Sequence, residues 1–358
     1  MSKSLEEHNH FGIDATIIAD SITPQKHRLT TYVLTMPRIV LAEFNTHRML
    51  SRNSASSRAI PFDKMVKRVK ENPFVPIRWQ KDHRGMQGSE YFSNDDLLTS
   101  PNRVRGKDTL KALEDEWLRA RDWSVRAAKV LNKIGLTKQL CNRLLEPYLW
   151  HTVIATGTEW ENFFALRAHE AAEIHIADLA DKMLQEYNDH TPQKLEEGEW
   201  HIPFGDKFDE DRVTRMVEND HDHELANTKE LFKLVGDVHH EDICRLLEIK
   251  IATARCARVS YLNFEGKDDY RADVKLYDRL SNMGHWSPFE HCGRVMTKGE
   301  YNSYYSGVLG LDGDGYYTDP QAKKDYLGWS GNLQGFVQLR KMFDNENKED
   351  PRVERVEV

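Results

Sequence analysis

The sequence predicts an α+β fold, and three observations carry that reading. Two short apolar segments, Ala15 to Ile22 and Leu29 to Thr35, have strand length and stand close together near the N-terminus. Helical character dominates most of the chain beyond them, so strands and helices fall in separate stretches. A hydrophobic content of 39% over 358 residues suffices for a sizeable core and excludes a disordered chain.

After the strands, Pro37 opens a helix through Ile39, Val40, Glu43 and His47, with proline in its tolerated first-turn position. A Ser/Arg-rich turn, SRNSASSRAIP, ends at Pro61, and 72–106 reads as a long loop, a length that suits a functional cover or an interface arm. Leu110 to Leu131 is amphipathic, LTKQLCNRLLEPYLW continues the helical character, and a long helix runs from about Trp160 to Tyr187. Its core face is Ala172, Ile176, Leu179, Ala180 and Met183. The stretch 193–240 is acidic and irregular, an insertion or linker between a region at 1–192 and another at 241–345. In that second region one helix repeats Ile243, Leu247, Ile251 and Ala254, and another carries Ala272, Leu276, Leu280 and Met283 before Gly284, a good C-cap residue. GVLGLDGDGYYTDP is loop, and the tail at 346–358 is charged.

Composition and missing motifs narrow the function. A net charge of −8 argues against a broad nucleic-acid face, so any polyanion grip must be local, and an RNA-binding loop is disfavoured. No apolar run is long enough to span a bilayer, and MSKSLEEHNHFG has no signal-peptide core, so a cytoplasmic protein is expected. The four cysteines, Cys141, Cys244, Cys256 and Cys292, form no CxxC pair. There is no phosphate-loop motif, and Gly313-Asp314-Gly315 lacks the third glycine of a dinucleotide fingerprint. In HEAAEIH the histidines are six apart, whereas a zinc pair on one helix face needs i and i+4. His221, His223, His239 and His240 read as solvated histidines, and Asp312 and Asp314 give an incomplete calcium loop. No metal is expected.

Three clusters stand out. His47 to Arg58 packs three arginines, a histidine and four serines into twelve residues at a helix end. Guanidinium groups and hydroxyls converging on a turn can cradle a phosphate; a solvated polar turn is the plainer alternative. Asn162 to Glu170, NFFALRAHE, places Arg167 between a Phe-rich stretch and the core stripe, with Arg143 upstream. A partly buried arginine must be paired, and Glu170 or Glu173 is the local choice. Cys256 to Tyr261 comes third with Gly284 to His291, and the latter gathers two histidines, a serine and a glutamate around a proline, which alone is no more than a capped helix end with hydrogen-bonding capacity.

Together the clusters resemble the flavin-dependent thymidylate synthases. THRMLSRNSASSR, Thr46 to Arg58, resembles that family's RHR motif and its spaced serine run; NFFALRAHEAAEIHI resembles its NFxxLR helix; Ala257–Tyr261 and Gly284–His291 are similar to its ARVSY and GHxSPFEH motifs. The resemblance implies a mixed helix bundle around a central antiparallel sheet, permuted, because ARVSY and GHxSPFEH follow the RHR region here and precede it in the family. It implies FAD contacts from Thr46, His47, Arg48, Asn162, Ser260, Ser287 and Glu290, with His285 near the flavin. It assigns the nucleotide phosphate to Ser54, Ser56, Ser57, Arg58 and Arg143, and the pyrimidine to Arg167, the catalytic group that favours ionisation at N3; Glu43 stands beside the base.

The implied reaction methylates dUMP to dTMP, with methylenetetrahydrofolate as carbon donor, NADPH as reductant and no enzyme nucleophile. The implied assembly is a homotetramer with active sites between subunits. Two departures bear on this. Thr46 replaces the first Arg of RHR, with Arg52 as a possible substitute cation. Glu43 and Glu173 stand where amides are common, and a carboxylate would suit an exocyclic amine, leaving dCMP and a hydroxymethyl product as alternatives. A non-catalytic flavin- or nucleotide-binding relative is the reading from another class.

Overall fold

Side-chain alternation along three strands decides the architecture of the chain, seen here in a computed structural model that describes residues 12–54, 56–85, 88–96, 108–219, 239–260, 268–309 and 331–346. Strand β1 (Asp14–Ile22) forms a hairpin with β2 (Arg28–Pro37), and β2 pairs antiparallel with β4 (Trp150–Gly157). Ile17, Tyr32, Leu34, Val153 and Ala155 face one core, while Ile18, Val33 and Ile154 face another. With successive residues pointing to opposite faces, both faces of the sheet are apolar, so both must be covered.

Helices α5 (Glu161–Arg167) and α6 (Ile174–Asp189) cover the first face, through Phe163, Phe164, Ile176, Leu179 and Met183. Helices α8 (His240–Ser260) and α9 (Tyr270–Met283) cover the second, through Leu247, Ile251, Val274 and Tyr277. The result is α+β, a sheet between two helical layers. Its full order is β3-β4-β2-β1-β5, with β3 (Ser51–Ser54) antiparallel to β4 and the short β5 (Gln193–Lys194) parallel to β1, so the sheet is mixed at one edge.

A second, antiparallel sheet orders β6 (Trp200–His201), β7 (Gly293–Val295) and β8 (Phe336–Gln338). A satellite core joins α2 (Phe62–Glu71), α3 (Thr109–Ile134) and the end of α4 (Lys138–Arg143) through Met65, Val69, Val125, Ala128 and Cys141. Among the described residues, no helix is long and apolar enough to cross a membrane.

Several sequence expectations hold and several need correction. The strand pair, the helix at 109–134 and the helix stopped by Gly284, left-handed at φ +69°, stand as read. The helix opened by Pro37 is shorter: a 3-10 turn, then α1 (Leu41–Phe44), so His47 lies beyond it. The Ser/Arg run is not all turn, because Ser51–Ser54 is an edge strand whose buried positions, Ser51 and Asn53, are polar. The continuous helix from Trp160 to Tyr187 is broken after Arg167, and Glu173 caps a new helix with its side chain on the amides of His175 and Ile176. In 193–219, β5, β6 and α7 (Glu210–Glu218) appear, and Trp200, Phe204, Val213 and Met216 enter the second core. Ala55, Tyr261, His221, His223, Asp312 and Asp314 lie outside the described residues.

Candidate active site

Arg167 ends α5, where Phe163, one turn earlier, packs its ring edge-on against Phe44 and His47. This brings the guanidinium to the α1 turn. There Nε donates to His47 Nε2 at 3.0 Å, Nη1 to Glu43 Oε2 at 3.1 Å and Nη2 to Thr46 Oγ1 at 3.3 Å. The partner of Arg167 is thus Glu43 rather than Glu170 or Glu173. Glu173 is committed to its helix cap and to His175 Nδ1 at 2.5 Å, while His175 Nε2 accepts the Ile77 amide. Thr46, in place of an arginine, donates to the Glu43 carbonyl and accepts from Arg167.

Because Arg167 donates to His47, that imidazole must be neutral. Burial lowers its pKa, and the neighbouring positive charges of Arg167 and Arg52 lower it further.

Edge strand β3 ties this region to the distant motifs. Asn53 Nδ2 donates to the carbonyl of Cys256, and Ser287 Oγ donates to Asn53 Oδ1 at 3.1 Å. The stretches that resemble ARVSY and SPFEH therefore meet the one that resembles RHR in space, although about two hundred residues separate them in the chain.

Alongside runs an open cleft of about 270 Å³. Arg48, Leu50, Ser51 and Arg52 form one side; Glu290, Gly331, Asn332, Gln338, Arg340 and Lys341 form the other. Arg52 is fixed by the carbonyls of Phe44 and His47. Arg340 pairs with Glu290 at 2.5 Å, and Glu346 behind them holds Arg340 and Lys341, each at 2.7 Å. Four cations against these two carboxylates leave an excess of two positive charges, which suits an anionic ligand.

The remaining cradle residues form a separate group. At the turn after β3, Ser56 Oγ accepts from the backbone and Nε of Arg58, and buried Asn142 donates to the carbonyls of Ser57 and Ile60. Arg143 follows Asn142 at the exposed end of α4, and Ser54 closes β3. Asn162 and His285 are exposed, the first in the opening turn of α5 and the second just past Gly284; Ser260 is the last residue of α8.

Sequence reading gave no role to Asn53, Asn142, Asn332, Gln338, Arg340 or Lys341. Asn142 adjoins Arg143, which was a usable signal; Arg340 and Lys341 sit in no recognisable motif. Among the described residues no group of histidine, cysteine and carboxylate side chains is arranged to hold a metal. Burial pushes the Cys292 thiol up to about 12 and raises that of Cys256, so neither carries a thiolate at neutral pH.

A family model described as "Thymidylate synthase complementing protein" matches residues 6–193, which is 188 of 358 positions. The match ends before Ala257–Tyr261 and Gly284–His291. Among solved structures, the crystal structure of a UMP/dUMP methylase, PolB, from Streptomyces cacaoi bound with 5-Br UMP is 16% identical, with a TM-score of 0.36 over 49% of this chain and 89% of that one. No curated protein matches.

Proposed function

Since this chain belongs to the thymidylate synthase complementing protein family, we propose that it methylates dUMP to dTMP, with FAD bound in the cationic cleft, methylenetetrahydrofolate as carbon donor and NADPH as reductant. The observation that carries the reading is the anchored Arg167. Of its five N–H groups, three are taken among the described residues, by His47, Glu43 and Thr46, which leaves two for a pyrimidine carbonyl and N3. A cation fixed at that edge stabilises negative charge where it develops on the ring, and no reorganisation is needed at that moment. His47 serves by staying neutral: a proton on Nε2 would remove the acceptor that holds Arg167 and set two cations side by side.

The fit of FAD rests on the excess of two positive charges in the cleft, which matches a diphosphate. Arg48 and Arg52 would hold it from one side of the cleft; Glu290 and Ser287 keep the flavin contacts that the resemblance assigns, and Arg52 supplies the cation that Thr46 lacks. A bound flavin supplies the reducing equivalents that complete the methyl group. Thr46, His47, Asn162, Ser260 and His285 keep the cofactor roles that the resemblance assigns. The turn at Ser56–Arg58, held by Asn142 and flanked by Arg143, takes the nucleotide phosphate.

Both carboxylates that would favour a cytosine amine are engaged, Glu43 with Arg167 and Glu173 with its helix cap, which supports dUMP over dCMP. The assembly is a cytoplasmic homotetramer with sites between subunits. Mass spectrometry of the nucleotide, after incubation with FAD, NADPH, methylenetetrahydrofolate and either dUMP or dCMP, tests the reading. One methyl gained on dUMP supports it; gain on dCMP alone would overturn the substrate, and no gain on either would favour a binding protein.

A further inference from the structure

The wall of the cleft at 331–346 lies outside the stretch that the family model matches, yet it is fastened to the Arg48–Arg52 wall by side-chain amides. Asn332 Nδ2 donates to the Met49 carbonyl at 2.6 Å, and Ser51 Oγ donates to Asn332 Oδ1 at 3.1 Å. Gln338 Nε2, buried, donates to Ser51 Oγ at 3.1 Å. Gly331 is left-handed at φ +64°, and a Cβ there would come within 3.0 Å of Gln338 Oε1, so the turn that brings this wall in requires glycine.

The next turn presents Lys341 to the cleft. Glu346 holds its ammonium from behind and does not itself line the cleft. An ammonium has three donors, and among the described residues one is used.

We propose that Lys341 is a specificity-determining contact for the diphosphate of a flavin dinucleotide. The proposal deepens the FAD reading above and rests on it. A compact point charge suits a phosphate oxygen, and without Lys341 the excess of cleft charge falls from two to one, short of a diphosphate. The cleft, at about 270 Å³, is smaller than sites that engulf a whole ligand, which run to roughly 300–1,000 Å³. It would hold the diphosphate portion of the dinucleotide rather than the whole cofactor.

Lys341→Gln is the test, because Arg340 also holds Glu346 and the fold does not depend on the ammonium. Dissociation constants for FAD and for riboflavin, which has no phosphate, are measured by flavin fluorescence on the full chain and on the variant, each at low and high salt. The proposal expects wild type to bind FAD more tightly than riboflavin, and the variant to lose about tenfold in FAD affinity with riboflavin unchanged. It also expects a shallower salt dependence in the variant and restored FAD affinity in Lys341→Arg. Parallel loss of FAD and riboflavin would show a structural role and overturn the proposal. Unchanged FAD affinity would overturn it while leaving the FAD reading intact; a wild type that binds no FAD would remove both.

Discussion

Replacing Arg167 with alanine should separate the two functions proposed for the site. Among the described residues its guanidinium makes three side-chain hydrogen bonds, all to the α1 turn, and it does not line the cationic cleft. Losing one preorganised donor at a site of developing charge costs about 10²–10³ in rate, so methylation should fall by at least that factor while FAD binding changes less than about threefold. Glu43→Gln is the graded control. Its ion pair with Arg167 is partly exposed, at 20% and 41% for the two side chains, so solvent screening limits its worth to about 1 kcal/mol, roughly fivefold in rate. A third readout is the titration of His47 by NMR. Arg167 is the second cause of its lowered pKa after burial, so the pKa should rise in Arg167→Ala yet stay below 6.5. Single-turnover mass spectrometry of dTMP and flavin fluorescence supply the other two readouts. A rate loss under tenfold, or FAD lost in parallel with activity, would refute the role given to Arg167.

Two further perturbations address the phosphate turn and the core. Asn142→Ala removes two hydrogen bonds from a buried side chain to the carbonyls of Ser57 and Ile60, and should cost about 2–3 kcal/mol in denaturant unfolding and raise the KM for nucleotide more than it lowers kcat; an unchanged KM would detach the turn from phosphate binding. Acid should unfold the protein through His151, His201 and His291, each held near a pKa of about 3, by burial above all, with Arg38 adding to the effect on His151 and His291 to that on His201. The unfolded chain binds these protons at about 6.5 and the native state does not, so stability is full above pH 6.5 and falls as pH drops toward 3, by about 1.4 kcal/mol per pH unit for each histidine. Denaturant melts at pH 7.5, 6 and 5 check the slope, and flat stability across that range would contradict buried neutral histidines.

How much of this was legible in the sequence depended on whether the deciding interaction was local. The short strand-length segments TIIADSI and LTTYVLT announced β1 and β2, whose successive residues enter the two opposite cores. Strand β4, WHTVIATG, follows a helical stretch that ends in the Pro147 turn, yet only its pairing between β2 and β3 reveals it as a strand. The residues 168–173 have good helix formers, yet the helix stops there because Glu173 turns to cap the next one and to hold His175. The same local bias pointed Arg167 toward Glu170 or Glu173, whereas its partner, Glu43, comes from 124 positions earlier. Arg340 and Lys341 gave no signal, since their meaning depends on a cleft built by two strands and two 3-10 turns that meet only in the fold.

The central claim is that this site replaces the hydrogen at C5 of a uracil nucleotide with a methyl group, and release of tritium from 5-tritiated dUMP measures that replacement directly. With FAD, NADPH and methylenetetrahydrofolate present, the account predicts tritium release into water that requires all three and is abolished in Arg167→Ala. A wild-type protein that binds FAD and dUMP yet releases no tritium would contradict it.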